Sequence, residues 1–271
     1  MPKTWFHSTH FFRTFREKHT LLSQLYWTAQ LGVESVRTQL TSSPTKDFAV
    51  DVIHASFSKG MLPDTCAELL SHLEERQAIQ RLHLLVICSA NLEAYVKDVT
   101  ELLVGAMGHI DSEGDLTAVG KALARPILQS NTLTDILGYA EHLYQISLEP
   151  HLGNWKRAYK LRCAAAHNGG RVTPRTLREI PDIGLPLGAI ITLDWPTLKQ
   201  YLDGADEIAA LIDRTAAKEN VLSFELQCFV RDWKKIGLVP DRKAFWTELQ
   251  RLGFGMPKKA RRREIETLAF E

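Results

Sequence analysis

The segment Tyr159-Lys160-Leu161-Arg162-Cys163-Ala164-Ala165-Ala166-His167-Asn168-Gly169-Gly170 concentrates reactive side chains in one short stretch. Histidine gives and takes protons near neutral pH. Arginine carries a permanent charge on a planar fork of donors that matches phosphate oxygens. Cys163 and His167 stand at i and i+4, so on a helix they share a face, and a nucleophile-and-base pair is one reading. A cysteine among alanines also reads as a small buried apolar residue. Arg162 and His167 are five residues apart, which at 3.6 residues per turn puts them about 140° apart around a helix axis. They therefore form no intrahelical pair. Arg162 falls in the sector of Trp155, Ala158, Tyr159 and Ala166, where a guanidinium is costly unless a helix carboxylate or a phosphate meets it. The small side chains of 163–166 let another helix or a substrate backbone approach closely.

An arginine, four intervening residues and then a histidine that closes a helix before a glycine turn resemble the signature of the HEPN superfamily of helical ribonucleases. Leu92-Glu93-Ala94-Tyr95-Val96-Lys97-Asp98 looks more loosely like the early helix of the RiboL-PSP and MAE-type branches of that family. The resemblance spans about the first 217 residues. It implies cleavage of RNA by attack of the 2′-hydroxyl, with 2′,3′-cyclic phosphate products and no required metal or cofactor. Arg162 and His167 would be the catalytic residues, with Glu93, Cys163 and Asn168 as possible auxiliaries. His167 would act as general acid or base and Arg162 would stabilise the phosphorane-like charge. The family position after the arginine is usually polar, whereas this chain has Cys163 there. A homodimer would bring two arginines and two histidines into one cleft. The resemblance also implies a toxin or antiviral effector restrained by an inhibitory or sensor partner protein. The alternative is a noncatalytic module that binds RNA, a nucleotide or a partner protein.

Helical periodicity must position these groups. Apolar residues from Phe11 to Leu40 recur in threes, fours and sevens, which predicts one long helix ending near Ser42-Ser43-Pro44. A loop around Lys59-Gly60 and Pro63-Asp64 precedes a second helix from Leu82 to Ala106. From Leu116 to Tyr144 the spacing is helical but Pro126 interrupts it, giving one broken helix or two. The motif helix is expected from about Gly153 to His167, closed by Asn168-Gly169-Gly170. A loop from Pro174 to Gly188 and a strand-like Ala189–Leu193 lead to a helix start at Asp194-Trp195-Pro196. The expected fold is all-α: a four- or five-helix up-and-down bundle over 1–217, with a short C-terminal appendage over 218–271. That appendage reads as a helical pair, split at Gly237 and Pro240, and a basic tail Lys258–Arg263.

Composition narrows the partners. With 33 basic and 32 acidic residues the net charge is +1, which argues against gripping nucleic acid by bulk charge, so any RNA contact is local. Cys66, Cys88, Cys163 and Cys228 form no CxxC pair, and a reducing, cytoplasmic setting is expected. Lys3, Arg13 and Arg16 interrupt the aromatic-rich start, so no signal peptide is expected. The most apolar run, Leu82–Ile87, is far shorter than the roughly 20 residues that cross a bilayer. No HExxH, no His/Cys cluster and no phosphate-cradling glycine loop occurs in the sequence, and no metal is expected.

Overall fold

The computed structural model describes residues 6–42, 65–149, 151–235 and 241–270. All regular structure among them is helical: α1 (His10–Ser42), α2 (Cys66–Ala106), α3 (Ala118–Leu128), α4 (Leu133–Tyr144), α5 (His151–Asn168), α6 (Pro174–Glu179), α7 (Trp195–Ala216), α8 (Glu219–Lys235), α9 (Arg242–Arg251) and α10 (Lys259–Phe270). The all-α expectation holds. Several helix starts follow from a Thr or Asp side chain accepting the amide two or three residues on. Thr117 accepts from Gly120, Thr132 from Asp135, Thr173 from Thr176, Asp194 from Thr197, and Asp241 from Lys243 and Ala244.

The chain forms two compact units, and α1, α2, α5 and α7 each contribute residues to both. The first unit contains Met1–Lys18, Ala90–Trp155 and Gly204–Glu271. Within it the Tyr95 hydroxyl donates to the Ala209 carbonyl at 3.0 Å, and the Thr100 and Tyr144 hydroxyls are 3.1 Å apart. Two buried carboxylates anchor the start of α1. Asp213 accepts from the Thr9 amide and hydroxyl at 3.1 and 2.6 Å, and Glu225 accepts from the His10 amide at 2.9 Å. Anions at a helix N-terminus complement its free amides and its dipole. Phe6, Leu222, Leu226, Phe245, Leu249 and Phe254 belong to one apolar core in this unit.

The second unit contains His19–Ser89 and Lys156–Asp203. There Leu40, Cys66, Leu69 and Leu73 pack together, and Tyr26 stacks on Trp195 with centroids 4.1 Å apart and planes within 8°. The chain passes between the units at 18/19, 89/90, 155/156 and 203/204.

Five local expectations change. The second helix begins at Cys66, well before Leu82, because an apolar row through Leu69 and Leu73 buries against α1. Pro126 does not break its helix. Its missing N–H falls in the last turn of α3, and the break comes where Thr132 caps α4. Ala189–Leu193 forms only an isolated antiparallel bridge, Arg171 to Ile190, rather than a strand, and the expected loop from Pro174 contains α6. The segment Lys258–Arg263 is not a free tail. It runs into α10, whose Ile265 and Ala269 are buried in the core, while Arg261 and Arg262 pair with Glu264 and Glu266. The expectations at Ser43-Pro44, Lys59-Gly60, Pro63-Asp64, Gly237 and Pro240 lie outside the described residues.

Candidate functional site

Helix α5 buries Ala158, Leu161, Ala164 and Ala165, the small and apolar residues at three- and four-residue intervals. Arg162 lies next to this row and is half-buried. Its guanidinium stands 5.7 Å from the centroid of the Tyr159 ring, a cation–π distance. Its Nε is buried without any hydrogen-bond partner, and no carboxylate among the described residues pairs with it. The salt bridge to a helix carboxylate that would have made Arg162 an ordinary structural residue is therefore not formed there. A desolvated N–H without an acceptor costs about 1–3 kcal/mol, and that cost falls on Arg162 Nε.

His167 lies in the last turn of α5, is exposed, and its ring has no hydrogen bond among the described residues. The turn that follows fixes its place. Gly169 and Gly170 both adopt positive φ, +57° and +74°, and the Gly170 amide reaches back to the Ala164 carbonyl at 3.1 Å. The Gly170 carbonyl accepts from the Ile191 amide at 2.7 Å, and a Cβ on Gly170 would stand 3.1 Å from Leu82 Cδ1. Glycine is needed for both the backbone conformation and the close approach.

A cavity of about 350 Å³ opens beside this helix end. Lys160, Cys163, His167 and Asn168 line it from α5 and its end; Arg175, Arg178 and Glu179 line it from α6. Three permanent cations thus face one carboxylate. The Lys160 ammonium donates to the Glu179 carbonyl at 2.6 Å, and Arg175 Nε donates to the Glu179 carboxylate at 2.6 Å. That bond pushes the Arg175 pKa upward. Arg178 is exposed and engages no other described residue. Helix α6 is set by the Thr173–Thr176 capping box and by Pro174 in its first turn.

The structure brings Cys163, His167 and Asn168 to one cavity, the first two from a shared face and Asn168 from the helix end. Arg162 does not line it, in keeping with its position about 140° around the helix. Glu93 belongs to the first unit, where its carboxylate receives Lys97 Nζ at 2.7 Å. Sequence inspection missed Lys160, Arg175 and Arg178. Lys160 sits three residues before Cys163 and seven before His167 on the same face. Arg175 and Arg178 are three apart behind a Thr-Pro helix start, so both signals were present in the sequence.

No family model, curated protein or solved structure matches this chain significantly. No helix among the described residues is long and apolar enough to cross a membrane.

Proposed function

We propose that this chain is a HEPN-type endoribonuclease, a helical bundle that cleaves RNA without a metal at a site shared by two copies. The observation that carries the proposal is Arg162 with a buried Nε lacking an acceptor, five residues ahead of an exposed and unengaged His167. Such a pair has a forked cation for the phosphorane oxygens and a proton carrier for the 2′-hydroxyl or the leaving 5′-oxygen. Because the two point to different sectors of α5, one chain does not aim both at one phosphate. A two-fold axis alongside α5 supplies the missing member from the partner copy, and the exposed Ala166 leaves room for it. Cys163 and Asn168 then shape the wall beside His167. In this proposal the protein acts in the cytoplasm as a toxin or antiviral effector, held in check by an inhibitory or sensor protein.

A second reading is a noncatalytic module that grips RNA phosphates. It draws on the cavity beside His167, where Lys160, Arg175 and Arg178 gather without Arg162 and with Cys163 in the usually polar position.

The deciding experiment incubates wild-type, Arg162→Ala and His167→Ala protein with total RNA in excess EDTA and reads fragment ends and dimer mass. Fragments ending in 2′,3′-cyclic phosphate from the wild type alone establish the nuclease. RNA retention that weakens in the variants, with no new ends from any protein, establishes the binding module.

A further inference from the structure

The first unit holds a cavity of about 760 Å³, bounded by the start of α1, the later turns of α2, the segment 110–116, α3 and α8. Its size is that of a small-molecule site. Two chemistries line it. Phe11, Phe224, Phe229 and Phe254 provide aromatic surface. Asp98, Glu101, Asp115, Glu225 and Asp232 provide five carboxylates against two permanent cations, Lys121 and Arg231. Arg231 is already occupied by Asp232, with its Nε 3.1 Å from the carboxylate.

Three of these acids carry the negative charge of the cavity, with Lys18 and His10 acting on Asp98 and with His10 and Arg13 beside Glu225. Asp98 and Glu101, one turn apart on α2, form no hydrogen bond or ion pair among the described residues. Protein around them raises the pKa of both, and Asp98 raises that of Glu101 further. Water nevertheless reaches both, as expected at an open cleft. The Glu225 side chain is only 3% exposed. Its Oε1 is used by the His10 amide and lies 3.0 Å from His10 Nδ1, but its Oε2 is buried with no hydrogen-bond partner among the described residues. A carboxylate oxygen in that condition is costly unless a donor reaches it.

A bare metal ion does not fit, because no three His, Cys, Asp or Glu groups among the described residues converge closely enough to hold one. We infer that this cavity binds an organic ammonium ligand, its charge among Asp98, Glu101 and Glu225 and its apolar body against the phenylalanine rings. The ammonium supplies donors to the exposed oxygens of Asp98 and Glu101 and is also attracted to the negative faces of the rings. This site is independent of the ribonuclease proposal, whose residues lie in the second unit.

Tryptamine tests the inference against indole-3-propionate, which has a similar body and the opposite charge. Calorimetric titration of the full chain should show saturable binding of tryptamine and none of the acid. The Asp98→Asn, Glu101→Gln double variant changes two solvent-accessible side chains and should bind tryptamine roughly tenfold more weakly or worse. Cys228 lines this cavity and Cys163 lines the other, so saturating tryptamine should slow iodoacetamide labelling of Cys228 and leave Cys163 unchanged. Equal affinity for the two probes overturns the inference, since the cavity would then select only apolar bulk. Absence of binding by tryptamine overturns it as well, and so does charge-selective binding that persists in the double variant or leaves Cys228 unprotected.

Discussion

His10 and His167 each stand at the end of a helix, and the two ends are treated oppositely. At the start of α1, His10 is fastened through its amide and its ring to a buried Glu225, and the preceding Thr9 is fastened to a buried Asp213. At the end of α5, His167 is exposed and its ring is bound to nothing in the described structure. The cavities beside them differ in the same way. The one next to His10 is rich in carboxylates, and the one next to His167 is rich in lysine and arginine. The lesson is about use. A polar group that the fold employs is satisfied by the fold, whereas a group left unsatisfied within ordered helix is available to something else.

The sharpest way to break the comparison is His167→Ala. If His167 serves chemistry alone, RNA cleavage falls by about 100-fold or more while the melting temperature stays put. A large drop in melting temperature would make His167 structural and erase the contrast with His10. Glu225→Ala should do the reverse, costing about 2–3 kcal/mol in urea unfolding because a buried charged acceptor of the α1 start is lost, with RNA cleavage per folded molecule unchanged. Arg162→Met should stabilise the chain by about 1 kcal/mol by removing a buried N–H that has no acceptor, and at the same time abolish cleavage. Loss of stability in that variant would mean the guanidinium has a structural partner after all.

The smallest effect concerns pH. Burial raises the pKa of Asp98 and Glu101 in the folded protein above the unfolded values near 4, so folding favours their protonated forms. That contribution is fully present below the unfolded values and is lost as pH rises through the raised folded ones. Urea midpoints of the Asp98→Asn, Glu101→Gln variant should therefore exceed wild type at neutral pH and converge with it at acid pH. Asp182, whose pKa is lowered chiefly by its hydrogen bond with Arg157, behaves oppositely: its contribution is present above the unfolded value and fades as pH falls through the folded one.

Much of the helical layout was legible because burying one face of a helix imposes a period on the sequence. The first helix, the motif helix with its Asn168-Gly169-Gly170 end, and the start at Asp194-Trp195 all stand where spacing and caps put them. Short or irregular pieces were not. Helix α6 is too short to show a period, and its one local sign, the Thr173-Pro174 start, sits in a Pro- and Gly-containing stretch. The apolar run at Ala189–Leu193 looked like a strand, yet it finds only one bridging partner, at Arg171. The basic run is solvated as expected at Lys258, Lys259 and Arg263, but nothing local reveals that Ile265 and Ala269 beyond it enter a core.

The same division holds for the two sites. The sequence by itself determined that Arg162 and His167 occupy different sectors of one helix and that Cys163 shares the face of His167, since both follow from the fixed rotation per residue. The all-α class of the described residues was legible in the same way. Tertiary packing alone settles that Arg162 meets no carboxylate among the described residues, that Arg175 and Arg178 join Lys160 beside His167, and that Asp98, Glu101 and Glu225 line one cavity. Those outcomes depend on which distant segments meet, and a pairing between segments leaves no period in either one.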